Sequence, residues 1–304
     1  MKMKKFIAVL SMAAMIGTLA VGCGKSNEES KGEDAKAEAG SDWDSSMDIT
    51  IVSREDGSGT RGAFIELFGV EEKQGDEKVD MTTEEAQITN STSVMLTTVA
   101  GDEYAIGYVS LGSLDDSVKA VKIDGAEATA ENIKNDSYKV SRPFNIATKK
   151  GLDNEVAKDF INFIMSKEGQ EVVAENGYIG DDSAAAFSGS NPSGKVVVGG
   201  SSSISPVMEK LIEAYKAVNA NAEIELQTTD STTGMTSAID GSYDIGMASR
   251  ELKDEEAAEL DSQVIATDGI AVIVNKANTT DELSGDQVKA IYTGEALTWD
   301  EVVE

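Results

Sequence analysis

The sequence predicts an α/β fold, with helices layered on largely parallel sheets, and three observations predict it. From Met47 onward, short β-branched runs alternate with stretches whose apolar residues recur at helical spacing; strands separated by helices of that length pair in parallel. The chain has 304 residues, the length of two ordinary domains. Hydrophobic residues make up 40% and charged residues 27%, the balance of a chain that buries a core rather than one that stays disordered or forms fibres.

The N-terminus comes first. Lys2, Lys4 and Lys5 precede an apolar run over residues 6–21. That run falls short of the ~20 residues needed to span a bilayer, so residues 1–22 are expected to be a cleaved export signal. Leu19-Ala20-Val21-Gly22-Cys23 resembles a bacterial lipobox, which implies lipidation of Cys23. Residues 24–46 hold Glu, Ser, Lys, Gly, Ala and Asp with one aromatic, Trp43, and cannot bury a core. Residues 23–46 are therefore expected to be the lipidated cysteine and a flexible acidic linker, with a span of roughly 25 Å. Asp42, Asp44 and Asp48 lack the turn glycine of a calcium loop, and no metal site is expected.

Six strands are expected, at 49–52, 105–110, 196–199, 223–226, 245–248 and 271–274. A helix is expected over 154–176, where Val156, Phe160, Phe163 and Ile164 share one face. Another is expected over 206–218, with Pro206 at its start and Leu211, Ile212 and Tyr215 turned inward.

Composition excludes several functions. With 26 Lys and Arg against 55 Asp and Glu, the formal charge is −29, which repels nucleic acid and anionic lipid. Histidine is absent, which removes the usual general base, the Ser–His pair and the commonest metal ligand. A single cysteine forms neither an intramolecular disulfide nor a thiolate metal cluster. The chain is not expected to be an enzyme, and no cofactor is expected.

What remains is a set of small-polar loops, each placed just before a helix: Arg54-Glu55-Asp56-Gly57-Ser58-Gly59-Thr60, the run from Gly199 to Pro206, the run from Thr228 to Gly234, and Ala248-Ser249-Arg250. A helix N-terminus offers unpaired N–H groups and partial positive charge, which suits an anion. Serine and threonine hydroxyls add donors, and Arg54 and Arg250 add guanidinium forks suited to a tetrahedral oxyanion. Each loop alone also reads as an ordinary helix cap.

These loops resemble those of the phosphate-binding proteins that feed the high-affinity phosphate ABC transporter, which are type II solute-binding proteins. The likeness extends over most of 47–180 and 195–304, through Ala105-Ile106-Gly107-Tyr108, Ser141-Arg142-Pro143-Phe144, Ser166-Lys167-Glu168-Gly169-Gln170 and Ile291-Tyr292-Thr293-Gly294-Glu295. It implies a two-lobed periplasmic-binding-protein type II fold with the ligand cleft between the lobes. The order of the motifs departs from the family, because the Gly-Ser-Gly-Thr loop here precedes the serine-rich loop. This reads as a circular permutation, with 180–195 as the connector; half-domains pairing between chains are the alternative. One lobe then spans 141–268, and the other combines 47–140 with 269–304. The chain crosses between them near Ser141 and near Asp268.

Carried over residue by residue, the resemblance implies phosphate contacts at Ser202, Ser203, Ser231, Arg54, Ser58, Gly59 and Thr60, with Asp56 holding the Arg54 guanidinium. Ser249 and Arg250 are possible contacts. Arg250 stands where many members have an aspartate, so it either touches the anion or pairs with a carboxylate such as Glu251 or Asp254. The implied function is a monomeric, lipid-anchored protein on the extracytoplasmic face of a bacterial membrane. It would capture inorganic phosphate and hand it to ABC permease subunits, touching membrane through the lipid alone and no nucleic acid. The alternatives are another oxyanion such as sulfate or molybdate, a secreted phosphatase using Ser58, or a surface sensor.

Overall fold

The computed structural model describes residues 43–75 and 77–303. The expected export signal, Cys23 and most of the acidic linker lie outside them. The chain runs β1 (Thr50–Arg54), α1 (Gly59–Leu67), β2 (Glu71–Gln74), β3 (Glu77–Asp80), β4 (Gln87–Thr89), α2 (Thr92–Gly101) and β5 (Ala105–Ser110). A 3-10 turn at Leu111–Ser113 leads to β6 (Lys119–Ala120), β7 (Lys122–Ile123) and α3 (Ala130–Lys134). Next come β8 (Ser141–Lys149), α4 (Glu155–Ile164), α5 (Lys167–Glu175), β9 (Gly194–Ser201), α6 (Ser205–Val218) and β10 (Ala222–Thr229). The last elements are α7 (Ser231–Asp240), β11 (Ile245–Ala248), α8 (Asp254–Glu259), β12 (Leu260–Val274), β13 (Glu282–Leu283) and α9 (Gly285–Thr293).

One nine-stranded sheet runs in the order β10-β9-β11-β8-β12-β5-β1-β4, with β6 also on β12. At one end β9 pairs in parallel with β10 and β11, and at the other β1 pairs in parallel with β4 and β5. Between these parallel sets lie β8 and β12, antiparallel to each other and to their outer neighbours. The parallel pairing expected from strand–helix alternation therefore holds at both ends, and the centre is antiparallel.

Two principal cores flank that centre. One gathers Phe64, Tyr108, Tyr292 and Trp299 with Ile49, Val140 and Ile270. The other gathers Phe144, Phe160, Val198, Leu211, Tyr215 and Ala266. The two long antiparallel strands join them, with Arg142 opposite Asp268 and Ser141 opposite Gly269. The neighbouring of Ser141 and Asp268 expected from the sequence is present. β12 is far longer than the expected 271–274, because its first half pairs with β8 and its second half with β5.

Two further elements differ from expectation. The single helix expected over 154–176 is broken at Met165 and Ser166. Ser166 caps α5 by accepting the Gly169 N–H at 3.3 Å, and a side chain at Gly169 would meet the Phe163 carbonyl. β8 contains Pro143, which cannot donate to a ladder and so argues against a central strand. β11 reaches only as far as Asn145 on β8, so Pro143 lies where β8 has β12 alone beside it. Among the described residues no helix is long and apolar enough to cross a membrane.

Candidate anion-binding site

β1 delivers Arg54 to its C-terminal end, and the chain then turns sharply. Ser58 N–H donates to the Glu55 carbonyl at 2.9 Å, and the Ser58 hydroxyl caps α1 by accepting from Arg61 N–H at 3.3 Å. The Arg54 main chain is pinned from behind: its N–H donates to the Tyr108 hydroxyl, which also bonds Ser53 Oγ at 2.9 Å. Burial pushes the Tyr108 phenol up to about 12, so it stays a neutral anchor.

Arg54 is 2% exposed and reaches across to Ser202, donating from Nη2 to Oγ at 3.1 Å. Thr60 Oγ1 lies 2.8 Å from Ser203 Oγ. Gly59, the first residue of α1, packs so closely against the other loops that a Cβ there would fall 2.4 Å from Ser231 Oγ and 2.8 Å from Ser249 Oγ. Only glycine allows this approach. The Ser249 N–H donates to Ser231 Oγ at 3.0 Å, and Ser201 Oγ donates to Ser249 Oγ at 2.9 Å. The structure thus brings Arg54, Thr60, Gly59, Ser202, Ser203, Ser231 and Ser249 into one buried cluster. Ser58 is also buried, but its hydroxyl is engaged as the α1 cap.

Two residues expected here are placed otherwise. Asp56 does not hold Arg54: the turn at 55–58 throws its side chain outward, 98% exposed, where it pairs with Arg61 at 2.8 Å. Glu55 takes that role with two bonds, from Arg54 Nε at 2.8 Å and Nη2 at 2.7 Å. Arg250 pairs with neither Glu251 nor Asp254 side chains. It forms a fork with Glu256, at 2.7 and 2.8 Å, because the first turn of α8 brings Glu256 back over it. Burial works against ionisation of Glu256, but the bonds from Arg250 and from the Lys253 N–H outweigh it and hold the carboxyl below its usual range.

Thr92 was not singled out from the sequence, yet it joins the cluster. Its N–H donates to Ser202 Oγ at 3.3 Å, and its hydroxyl lies 3.2 Å from Ser202 Oγ and 3.4 Å from Ser203 Oγ. The signal was present in Asn90-Ser91-Thr92-Ser93, a small-polar run before a helix, but it has neither a glycine nor an arginine, one of which marks each of the other loops. With Thr92, the N-termini of α1, α2, α6 and α7 all open onto the cluster, at Gly59, Thr92, Ser205 and Ser231. Hydroxyls, amide ends and one buried guanidinium form a donor-rich cluster suited to an oxyanion. Among the described residues no group of acidic or cysteine side chains is placed to hold a metal.

Parallel strands ending in helix N-termini, on two cores joined by two crossing strands, make the fold that of the periplasmic-binding proteins. The chain belongs to the PBP superfamily, whose domain model matches residues 9–168 and 185–303. Over its whole length the chain is similar to phosphate-binding proteins named PstS 2. It is 55% identical to that of Streptococcus agalactiae serotype V, covering 99% of both chains. It is 41% identical to that of Streptococcus pneumoniae serotype 4, covering 99% of this chain and all of the other. The crystal structure of a phosphate-binding protein of a phosphate ABC transporter from Streptococcus pneumoniae superposes with a TM-score of 0.67. It shares 43% identity, over 84% of this chain and all of that one.

Proposed function

We propose that this protein is an extracytoplasmic solute-binding protein that captures inorganic phosphate between two lobes and delivers it to the permease of an ABC transporter. The observation that carries the reading is the buried convergence of Arg54 with the hydroxyls of Ser202, Ser203, Thr60, Ser231 and Ser249. A tetrahedral anion needs about that many donors, and it needs them out of water. The names of its full-length relatives support the same ligand. Thr92 is added to the proposed contacts. Ser58 contributes as the cap that fixes the helix end, with Glu55 rather than Asp56 orienting Arg54.

The lobes proposed are 141–268 and the pair 47–140 with 269–304, hinged where β8 and β12 cross. The permuted order is supported by the Ile49 N–H, which donates to the Leu297 carbonyl at 2.8 Å, so the last segment of the chain lies against the strand that the family order would place after it. Lipid anchoring through Cys23 and a monomeric state complete the proposal. The alternative ligand, another oxyanion, draws on Arg250: it cannot accept a hydrogen bond from a protonated phosphate, and Glu256 engages it. Titration calorimetry with phosphate, sulfate and molybdate separates the two. Tight sulfate binding with no phosphate binding would overturn the proposal.

A further inference from the structure

Where β8 and β12 cross lies a buried ion pair that the proposed function does not use. Arg142 is 4% exposed and Asp268 is 1% exposed, and Arg142 Nη2 lies 3.2 Å from Asp268 Oδ2. Asp268 also accepts from Ser110 Oγ at 2.9 Å, at the end of β5. Arg142 Nη1 has no partner among the described residues, although it is buried. A buried guanidinium with a free N–H is costly, and such a group in a native fold calls for a reason.

The turn after Ser110, whose hydroxyl Asp268 accepts, links the pair to the anion cluster. The 3-10 turn that follows Ser110 lines one groove together with the cluster residues, through Gly112 and Ser113 beside Thr92, Ser202 and Ser205. The pair thus connects the two crossing strands and, through Ser110, adjoins the turn that shares this groove with Thr92 and Ser202.

We infer that the Arg142–Asp268 pair sets the electrostatic floor of the anion site, with Arg142 adding a second positive charge toward the bound oxyanion and Asp268 restraining it. The inference rests on reading the cluster as an oxyanion receptor. Arg142 acts as a positioning residue through its field, not as a member of the hydroxyl shell. A field of this kind acts over several ångströms in a buried setting, where it is weakly screened. It also makes opposite demands on the two partners. Losing Arg142 exposes the anion to the Asp268 charge, whereas losing the Asp268 charge frees the attraction of Arg142.

The test is phosphate titration calorimetry on the wild-type protein and the variants Arg142→Gln, Asp268→Asn and the double variant, with folding checked by circular dichroism. Arg142→Gln is expected to weaken binding about tenfold or more, and Asp268→Asn to tighten it about threefold. The double variant should fall between them. A merely structural pair would weaken binding in both single variants, and that result, or no change in either, overturns the inference. If Asp268→Asn does not fold, Arg142→Lys decides, because it keeps the charge and loses the fork. Retention of affinity within about threefold supports the inference, and a loss equal to that of Arg142→Gln overturns it. Absence of phosphate binding by the wild-type protein would instead overturn the proposed function.

Discussion

Arg54 is buried on the strength of three side-chain bonds, two to Glu55 and one to Ser202. An anion entering the cluster offers the same guanidinium a better partner than a serine hydroxyl, because both groups are charged. Arg54→Ala should therefore weaken phosphate binding by about 3 kcal/mol, whereas Ser203→Ala should cost about 1 to 2 kcal/mol, as charged and neutral hydrogen bonds differ. Calorimetry on the two variants checks the ranking. Arg250→Ala should have a small effect by comparison, since Glu256 already takes its fork. Gly59→Ala should abolish binding while the protein still folds, because the new methyl group would strike Ser231 and Ser249 at the centre of the cluster. At this scale the sequence was legible wherever a residue type has one use: a buried arginine beside a Gly-Ser-Gly-Thr turn is such a case. It was not legible for Asp56 and Glu55. Their roles depend on which of two adjacent carboxylates the 55–58 turn points inward, and neighbouring residue types do not settle that.

Among the elements, β8 and β12 matter most, because every path between the two cores follows them. Their buried Asp268 carboxyl is pushed up to about 6 by burial, against the opposing pull of Arg142. A carboxyl that holds its proton more tightly in the folded state than its ordinary 3.8 stabilises the fold at low pH. That contribution is complete below about 4 and is lost as pH rises through about 6. Melting temperatures of the wild-type protein and Asp268→Asn, compared from pH 4 to 7, should show it. The wild-type value should decline relative to the variant across that window, and a constant difference would remove the assignment. Short buried strands such as Ile245–Ala248 were legible as apolar runs, and α6 was legible from its proline start. β8 and the first half of β12 were not, because Pro143 and the exposed run from Asp261 to Val264 carry the marks of loops. They are strands because they pair with each other, and β8 gains a second ladder from β11.

At the scale of the whole molecule, two lobes in permuted order are proposed to close on a phosphate ion. The order has its own test. A rearranged chain with residues 196–303 placed before residues 47–180 should fold and bind phosphate with unchanged affinity, since Ile49 already lies against Leu297. Failure of that chain to fold would speak against the permutation. The net charge of −29 does not bear against an anionic ligand, because charges beyond ~8 Å are screened at physiological salt while the donors act at contact. Architecture was readable in the sequence from the alternation of strands and helices. The joining of both cores through one continuous sheet was not, because it arises from pairing between segments over a hundred residues apart. The most direct measurement is titration of the purified protein with inorganic phosphate beside its Arg54→Ala variant at the same pH and salt. The expected result is saturable one-to-one binding by the wild-type protein and a loss of at least about a hundredfold in the variant. Equal affinities in two folded proteins, or no binding by the wild-type protein, would contradict it.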